Sequence, residues 1–130
     1  AELTKYMENS FLATKVSFCQ QFYFIASEMD VDYEELRELF VLDPRVNPSH
    51  TFVDRLHPYW SSHCLDKDVP AIADAYEASL LQEIIKFNEN TKKCLGIIRR
   101  AEIPEGIKND MLMYQAGVRR KEILKDSETP

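Results

Sequence analysis

The sequence predicts an all-α fold, a helical domain built on one long N-terminal helix. Three observations carry this. The first 29 residues keep a helical apolar rhythm and contain neither Pro nor Gly. Only three glycines occur in the 130 residues, Gly96, Gly106 and Gly117. No run of alternating β-branched residues is bounded by turn residues, which is the pattern a sheet requires.

Ala1 to Met29 reads as one helix. Leu3, Met7, Phe11, Thr14, Phe18, Phe22, Ile25 and Met29 recur at steps of four, four and three. That eleven-residue rhythm belongs to a nearly straight helix rather than a left-handed coiled coil. Leu12, Val16, Cys19 and Tyr23 form a second stripe. A helix apolar around so much of its circumference must be buried on more than one side. A second subunit is therefore expected to cover part of it, as a homodimer through the first helix.

Asp30 to Asp32 breaks that helix and offers an N-cap. Tyr33 to Leu42 then reads as a short helix with acidic residues in its first turn, as the helix dipole favours. Asp43-Pro44-Arg45 ends it. Residues 44–64 hold Pro44, Pro48, Pro58, all three histidines and the single Trp. This is the least regular stretch, and loops are where chemistry tends to sit. A third helix is expected to begin between Asp66 and Asp68, with Pro70 in its first turn, and to run to about Ala78. A fourth runs from Ser79 to Arg100, with Leu80, Leu81, Ile84, Ile85, Phe87, Leu95 and Ile98 as its apolar set. The last runs from Pro104 to Lys125, before a polar, frayed tail from Asp126 to Pro130.

Composition excludes several classes of function. A net charge of −6 repels phosphate backbones, so nucleic acid is not an expected partner. Cys19, Cys64 and Cys94 are odd in number and lack a framework spacing, which fits reduced thiols and a cytoplasmic protein. No segment has the apolar length of a membrane span, and no signal peptide is recognisable. No G-x-G-x-x-G or P-loop occurs, so the chain offers no dinucleotide site of its own. It opens on Ala1-Glu2-Leu3, already inside the helical pattern and without Met. The expectation is a single domain over residues 1–130, taken from a longer protein.

Two stretches carry a family resemblance. Ala1-Glu2-Leu3-Thr4-Lys5-Tyr6-Met7-Glu8-Asn9-Ser10-Phe11-Leu12-Ala13-Thr14-Lys15 resembles the A-E-L-x-K-Y-x-x-N-x-x-L-A-x-K opening of a central helix. His57-Pro58-Tyr59-Trp60-Ser61-Ser62-His63-Cys64-Leu65-Asp66-Lys67-Asp68-Val69 resembles a P-G-x-G-G-x-C-x-x-K-D-V loop around a nucleophilic cysteine. Leu42-Asp43-Pro44-Arg45-Val46 is similar to a D-x-R-[IV] element, and Leu81 to Glu89 to a helix ending in V-N-E. Together they resemble the central domain of the UDP-glucose/GDP-mannose dehydrogenase family, over roughly residues 1–95. Residues 96–130 diverge into a helical, polar tail, where the family would pass into a second Rossmann-like domain. The implied fold is similar to the C-terminal helical domain of 6-phosphogluconate dehydrogenases.

The resemblance implies a four-electron oxidation of a nucleotide sugar, UDP-glucose by preference, from the C6 alcohol to the acid, with NAD as cofactor. NAD would be bound by an N-terminal domain absent from this chain, and the isolated chain is expected not to turn over. Cys64 matches the nucleophile that traps the aldehyde. Lys5 and Asn9, four apart on one helix face, match donors to the developing C6 oxyanion. Asp68 matches the carboxylate that orients or deprotonates water. Arg45 matches a residue that reaches the sugar nucleotide of a neighbouring subunit. Tyr59, Trp60, Ser61 and Ser62 match the substrate-binding loop.

Each of these residues also has an ordinary reading. Lys5 alone is a solvated surface charge, and Asn9 a mild helix misfit. Cys64 alone is a small buried hydrophobe, Asp68 a first-turn acid, and Arg45 a loop residue paired with a local carboxylate. Order and spacing favour the family reading. His50, His57, His63 and Cys64 do not have zinc spacing, so no metal is expected, and His63 is expected to contact the cysteine loop.

The sequence departs from the family pattern in one chemical respect above all. Ser61 and Ser62 stand where the pattern has two glycines, and Tyr59 where it often has another. Their Cβ atoms are expected to narrow the sugar pocket or redirect the loop. Gln20-Gln21 replaces an Asn-Glu pair. These departures leave a second reading open, a stand-alone helical interaction module without catalysis.

Overall fold

The computed structural model describes residues 2–118. Five helices form there, and no strand occurs among the described residues. α1 spans Glu2–Glu28, α2 Tyr33–Phe40, α3 His63–Ala75, α4 Ser79–Ala101 and α5 Glu105–Gln115. The all-α class and the long first helix are as the sequence predicts.

α1 is the spine, because it packs against each of the other four helices. Its buried positions are Ser10, Ala13, Ser17, Cys19, Gln20, Phe24 and Ala26. Most are small, and small residues let neighbouring helices approach closely. Two clusters divide the core along this helix. Near its start, Ala13 packs with Trp60, Leu65 and Val69, joining α1 to α3. Near its end, Phe24 packs with Cys94, Leu95, Ile98, Leu112 and Met113, joining α1 to α4 and α5. The larger apolar stripe is turned the other way. Leu3, Met7, Phe11, Phe18 and Phe22 are all exposed.

Asp32 caps α2, its carboxylate accepting from the Glu34 amide at 3.1 Å. The long stretch after α2 is tied back by buried polar groups. Tyr33 Oη donates to the Thr51 carbonyl at 2.6 Å, and Arg37 Nε donates to Thr51 Oγ1 at 2.8 Å. The Arg37 guanidinium also lies over the Phe52 ring, 3.4 Å from its centroid. Burial raises the Tyr33 hydroxyl above its ordinary pKa of 10.0, and its hydrogen bond to Cys19 adds to this.

Three helix boundaries differ by more than two residues from the sequence-based expectation. α3 begins at His63, ahead of Asp66, because Ser62 is its N-cap and accepts from the Leu65 amide at 3.2 Å. Pro70 consequently lies well inside α3 rather than in its first turn. The amide it lacks would have bonded to the carbonyl of the exposed Asp66, where water can serve instead. α3 also stops at Ala75, since Glu77 takes a positive φ of 49°. α5 closes at Gln115 rather than Lys125. Gly117 takes a φ of 79°, and the Val118 amide bonds back to the Met113 carbonyl at 2.7 Å. That is the closure a left-handed glycine permits at a helix end. The expected extension to Lys125, and the frayed tail after it, lie outside the described residues.

Candidate active site

The two stretches that carry the family resemblance meet at one end of the molecule. Asn9 Nδ2 donates to Asp68 Oδ2 at 2.7 Å, across 59 residues of chain. Asp68 is 3% exposed, so this carboxylate requires partners. Its other oxygen lies 3.5 Å from Lys67 Nζ. Lys5 is exposed and stands one helical turn before Asn9 on α1, about 6 Å along the axis. Cys64 is exposed and stands one turn before Asp68 on α3.

Cys64 lies in the first turn of α3, two residues after the Ser62 cap. Helix N-termini present unpaired amides and favour negative charge. Cys64 is the exposed thiol at that helix end. The other two cysteines are buried, and burial pushes the Cys94 thiol up.

The serines that replace two glycines have structural work. Ser62 is the cap of the cysteine helix, and Ser61 Oγ donates to Asp66 Oδ2 at 3.4 Å. Both are exposed beside Cys64. Tyr59 is half-buried, edge-on to His57 with ring centroids 5.9 Å apart. Lys92 Nζ lies 5.5 Å from the Tyr59 ring centroid and 3.9 Å from Asp66.

Trp60, placed by the sequence among the substrate-binding residues, is 4% exposed and packs in the core. Its Nε1 donates to Ser17 Oγ at 2.9 Å. Its backbone amide donates to Asn88 Oδ1, and Asn88 Nδ2 donates to its carbonyl, both at 2.9 Å. Neither Ser17 nor Asn88 stands out as a site residue in the sequence. The available signal was a polar residue at a position of α4 that the apolar pattern buries, inside the V-N-E-like segment.

Arg45 is not drawn into the cysteine site. It is exposed on the loop after α2, where its guanidinium grips Asp43 at 3.0 and 2.7 Å and holds that carboxyl below its usual pKa. His50 bonds to Ser49, and His57 pairs with Asp54 at 3.3 Å. Among the described residues no group of three metal-ligating side chains converges. No described helix is long and apolar enough to cross a membrane. Among the described residues no strand leads into a glycine-rich turn.

A family model described as the UDP-glucose/GDP-mannose dehydrogenase family, central domain, matches residues 1–90. The UDP-glucose 6-dehydrogenase AglM of Haloferax volcanii is 31% identical over 105 residues, which cover 76% of this chain and 24% of that protein. UDP-glucose 6-dehydrogenases of Rickettsia prowazekii and Rickettsia typhi are each 29% identical over 94 residues, covering 68% of this chain and 21% of theirs. The chain thus spans about a quarter or less of the length of these curated relatives. No solved structure matches the chain.

Proposed function

This chain belongs to the UDP-glucose/GDP-mannose dehydrogenase family, through its central domain, and from that premise we propose that it is the substrate half-site of a cytoplasmic UDP-glucose 6-dehydrogenase. The supporting observation is the Asn9–Asp68 hydrogen bond, which joins the lysine–asparagine helix to the cysteine helix. The fold of this domain is taken to be that of the C-terminal helical domain of 6-phosphogluconate dehydrogenases.

Cys64 adds as thiolate to the C6 aldehyde, and the carbonyl oxygen becomes an oxyanion. Lys5 and Asn9 donate to that oxygen, a preorganised stabilisation worth most where charge develops. NAD, which a Rossmann-like domain of the full-length protein would hold, would accept the C6 hydride of this adduct and so leave a thioester. The thioester left on Cys64 is released by water that Asp68 orients, and the thiolate is regenerated. Asn9 thus has two partners, because its amide also fixes the Asp68 carboxylate. Ser61, Ser62 and Tyr59 border the sugar.

Dimerisation completes this reading. The exposed stripe of Leu3, Met7, Phe11, Phe18 and Phe22 is covered by a second copy of the chain. Arg45 then serves the neighbour's sugar nucleotide, exchanging Asp43 for phosphate or sugar oxygens.

The test is the full-length gene product given UDP-glucose and NAD. Wild type makes the acid with two hydrides transferred per sugar, whereas Cys64→Ser stalls the second oxidation. Unchanged acid formation by Cys64→Ser would remove the nucleophile assignment. Turnover by the purified 130-residue chain would refute its dependence on flanking domains.

A further inference from the structure

Asn88 is fully buried on α4 and touches none of the proposed reacting groups. Its amide reads both backbone groups of a single residue, Trp60, at 2.9 Å each. A neighbouring β-strand would give the same two-point pairing, and here one side chain supplies it. The Trp60 ring reaches the other way, to Ser17 on α1. One residue of the cysteine loop is therefore pinned to α4 through its backbone and to α1 through its indole. Two residues later Ser62 caps α3, and Cys64 follows in the first turn. α3 returns to α1 through Asp68 and Asn9. The bonds form a closed ring: α1, Trp60, Ser62, α3, Asp68, Asn9 and α1 again.

This ring has a consequence for the chemistry proposed above, on which the inference rests. The position of the α3 first turn against Asn9 is fixed at two points, one on each side of Cys64. We infer that Asn88 and Ser17 are positioning residues, which hold the Trp60 backbone and ring so that Cys64 faces the substrate atom that Lys5 and Asn9 address. Neither touches substrate. Packing alone does not require an asparagine at position 88, since burying an amide is costly unless both its ends are bonded. Pinning a loop backbone does require one.

The test uses Asn88→Asp and Ser17→Ala. Asn88→Asp keeps the acceptor for the Trp60 amide and sets a carboxylate oxygen against the Trp60 carbonyl. In the full-length protein, kcat for UDP-glucose oxidation falls roughly tenfold to a hundredfold while KM is unchanged, the mark of a displaced reacting group. In the 130-residue chain, the iodoacetamide rate of Cys64 falls toward that of an unstructured cysteine peptide, as the first turn of α3 loosens. Ser17→Ala moves both readouts the same way by less. Wild-type kcat and labelling in a folded Asn88→Asp protein would overturn the inference. So would a kcat and KM that drift together in step with lost thermal stability, which is general loosening. If Asn88→Asp does not fold, Ser17→Ala decides by the same two readouts. If the wild-type full-length protein makes no NADH from UDP-glucose, the functional reading fails, and the Cys64 labelling rates still decide whether the clamp positions the thiol.

Discussion

The two faces of α1 are built from different materials. The inner face carries Ser10, Ala13, Ser17, Gln20 and Phe24. The outer face carries Leu3, Met7, Phe11, Phe18 and Phe22, with Met7 at 74% and Phe11 at 63% exposure. By hydrophobicity alone the outer face is the better candidate for the core. The inner face wins because what it must do is specific. It lets α3 and α4 come close, and its Ser17 hydroxyl catches the cysteine loop through the Trp60 indole. Size of side chain and place in the core are separate matters in a helix that serves both a fold and a site. The outer face is then left with large apolar groups that only another surface can cover.

The largest effect expected on the inner face is at Phe24, which is 1% exposed at the centre of the α4–α5 cluster. Phe24→Ala should cost about 3–5 kcal/mol, read as a lower midpoint in urea unfolding. A loss below about 1 kcal/mol would mean that the cluster is not where stability resides. Next comes Ser62→Ala, which removes the cap of the cysteine helix and should cost about 1 kcal/mol. Ser62→Gly should cost only a few tenths, and equal losses in the two variants would argue against capping.

A further effect is pH-dependent. The folded state holds the Tyr33 proton more tightly than the unfolded state does. Stability from this source is complete below the ordinary tyrosine value of 10.0, and it declines as pH rises through the raised folded value. Alkaline unfolding of Tyr33→Phe should therefore be less steep with pH than that of the wild type, whatever the Thr51 bond contributes to the baseline. Parallel alkaline slopes would contradict the burial of that hydroxyl. The smallest effect on fold stability belongs to the outer face. Phe11→Glu should change unfolding of the monomer by no more than about 0.5 kcal/mol, while abolishing association at the same concentration.

Much of this was legible in sequence because the signals were local. The α1 rhythm and the Asp32 cap are short-range patterns, and both appear where expected. The resemblance gave Asn9 and Asp68 separate roles, and only the fold shows that they bond, since nothing local links residues 59 apart. Trp60 reads in sequence as a substrate contact because a large aromatic stands in the loop before Cys64. Only the fold shows that its indole and backbone are already engaged by Ser17 and Asn88. The start of α3 was misplaced because two acids, Asp66 and Asp68, drew the boundary to them, although Ser62 stood four residues before the first. The outward turn of the Phe11–Phe22 stripe could not be read from periodicity, which gives a stripe but no direction.

The direction of that stripe is best tested by the solution mass of the 130-residue chain, using size exclusion with light scattering. With α1 covered by a second copy, the mass is twice the 15.2 kDa of one chain, and Phe11→Glu returns it to one. A wild-type monomer across the micromolar range would contradict the account: the outer face of α1 would then stay bare, and Arg45 would have no neighbour's site to serve.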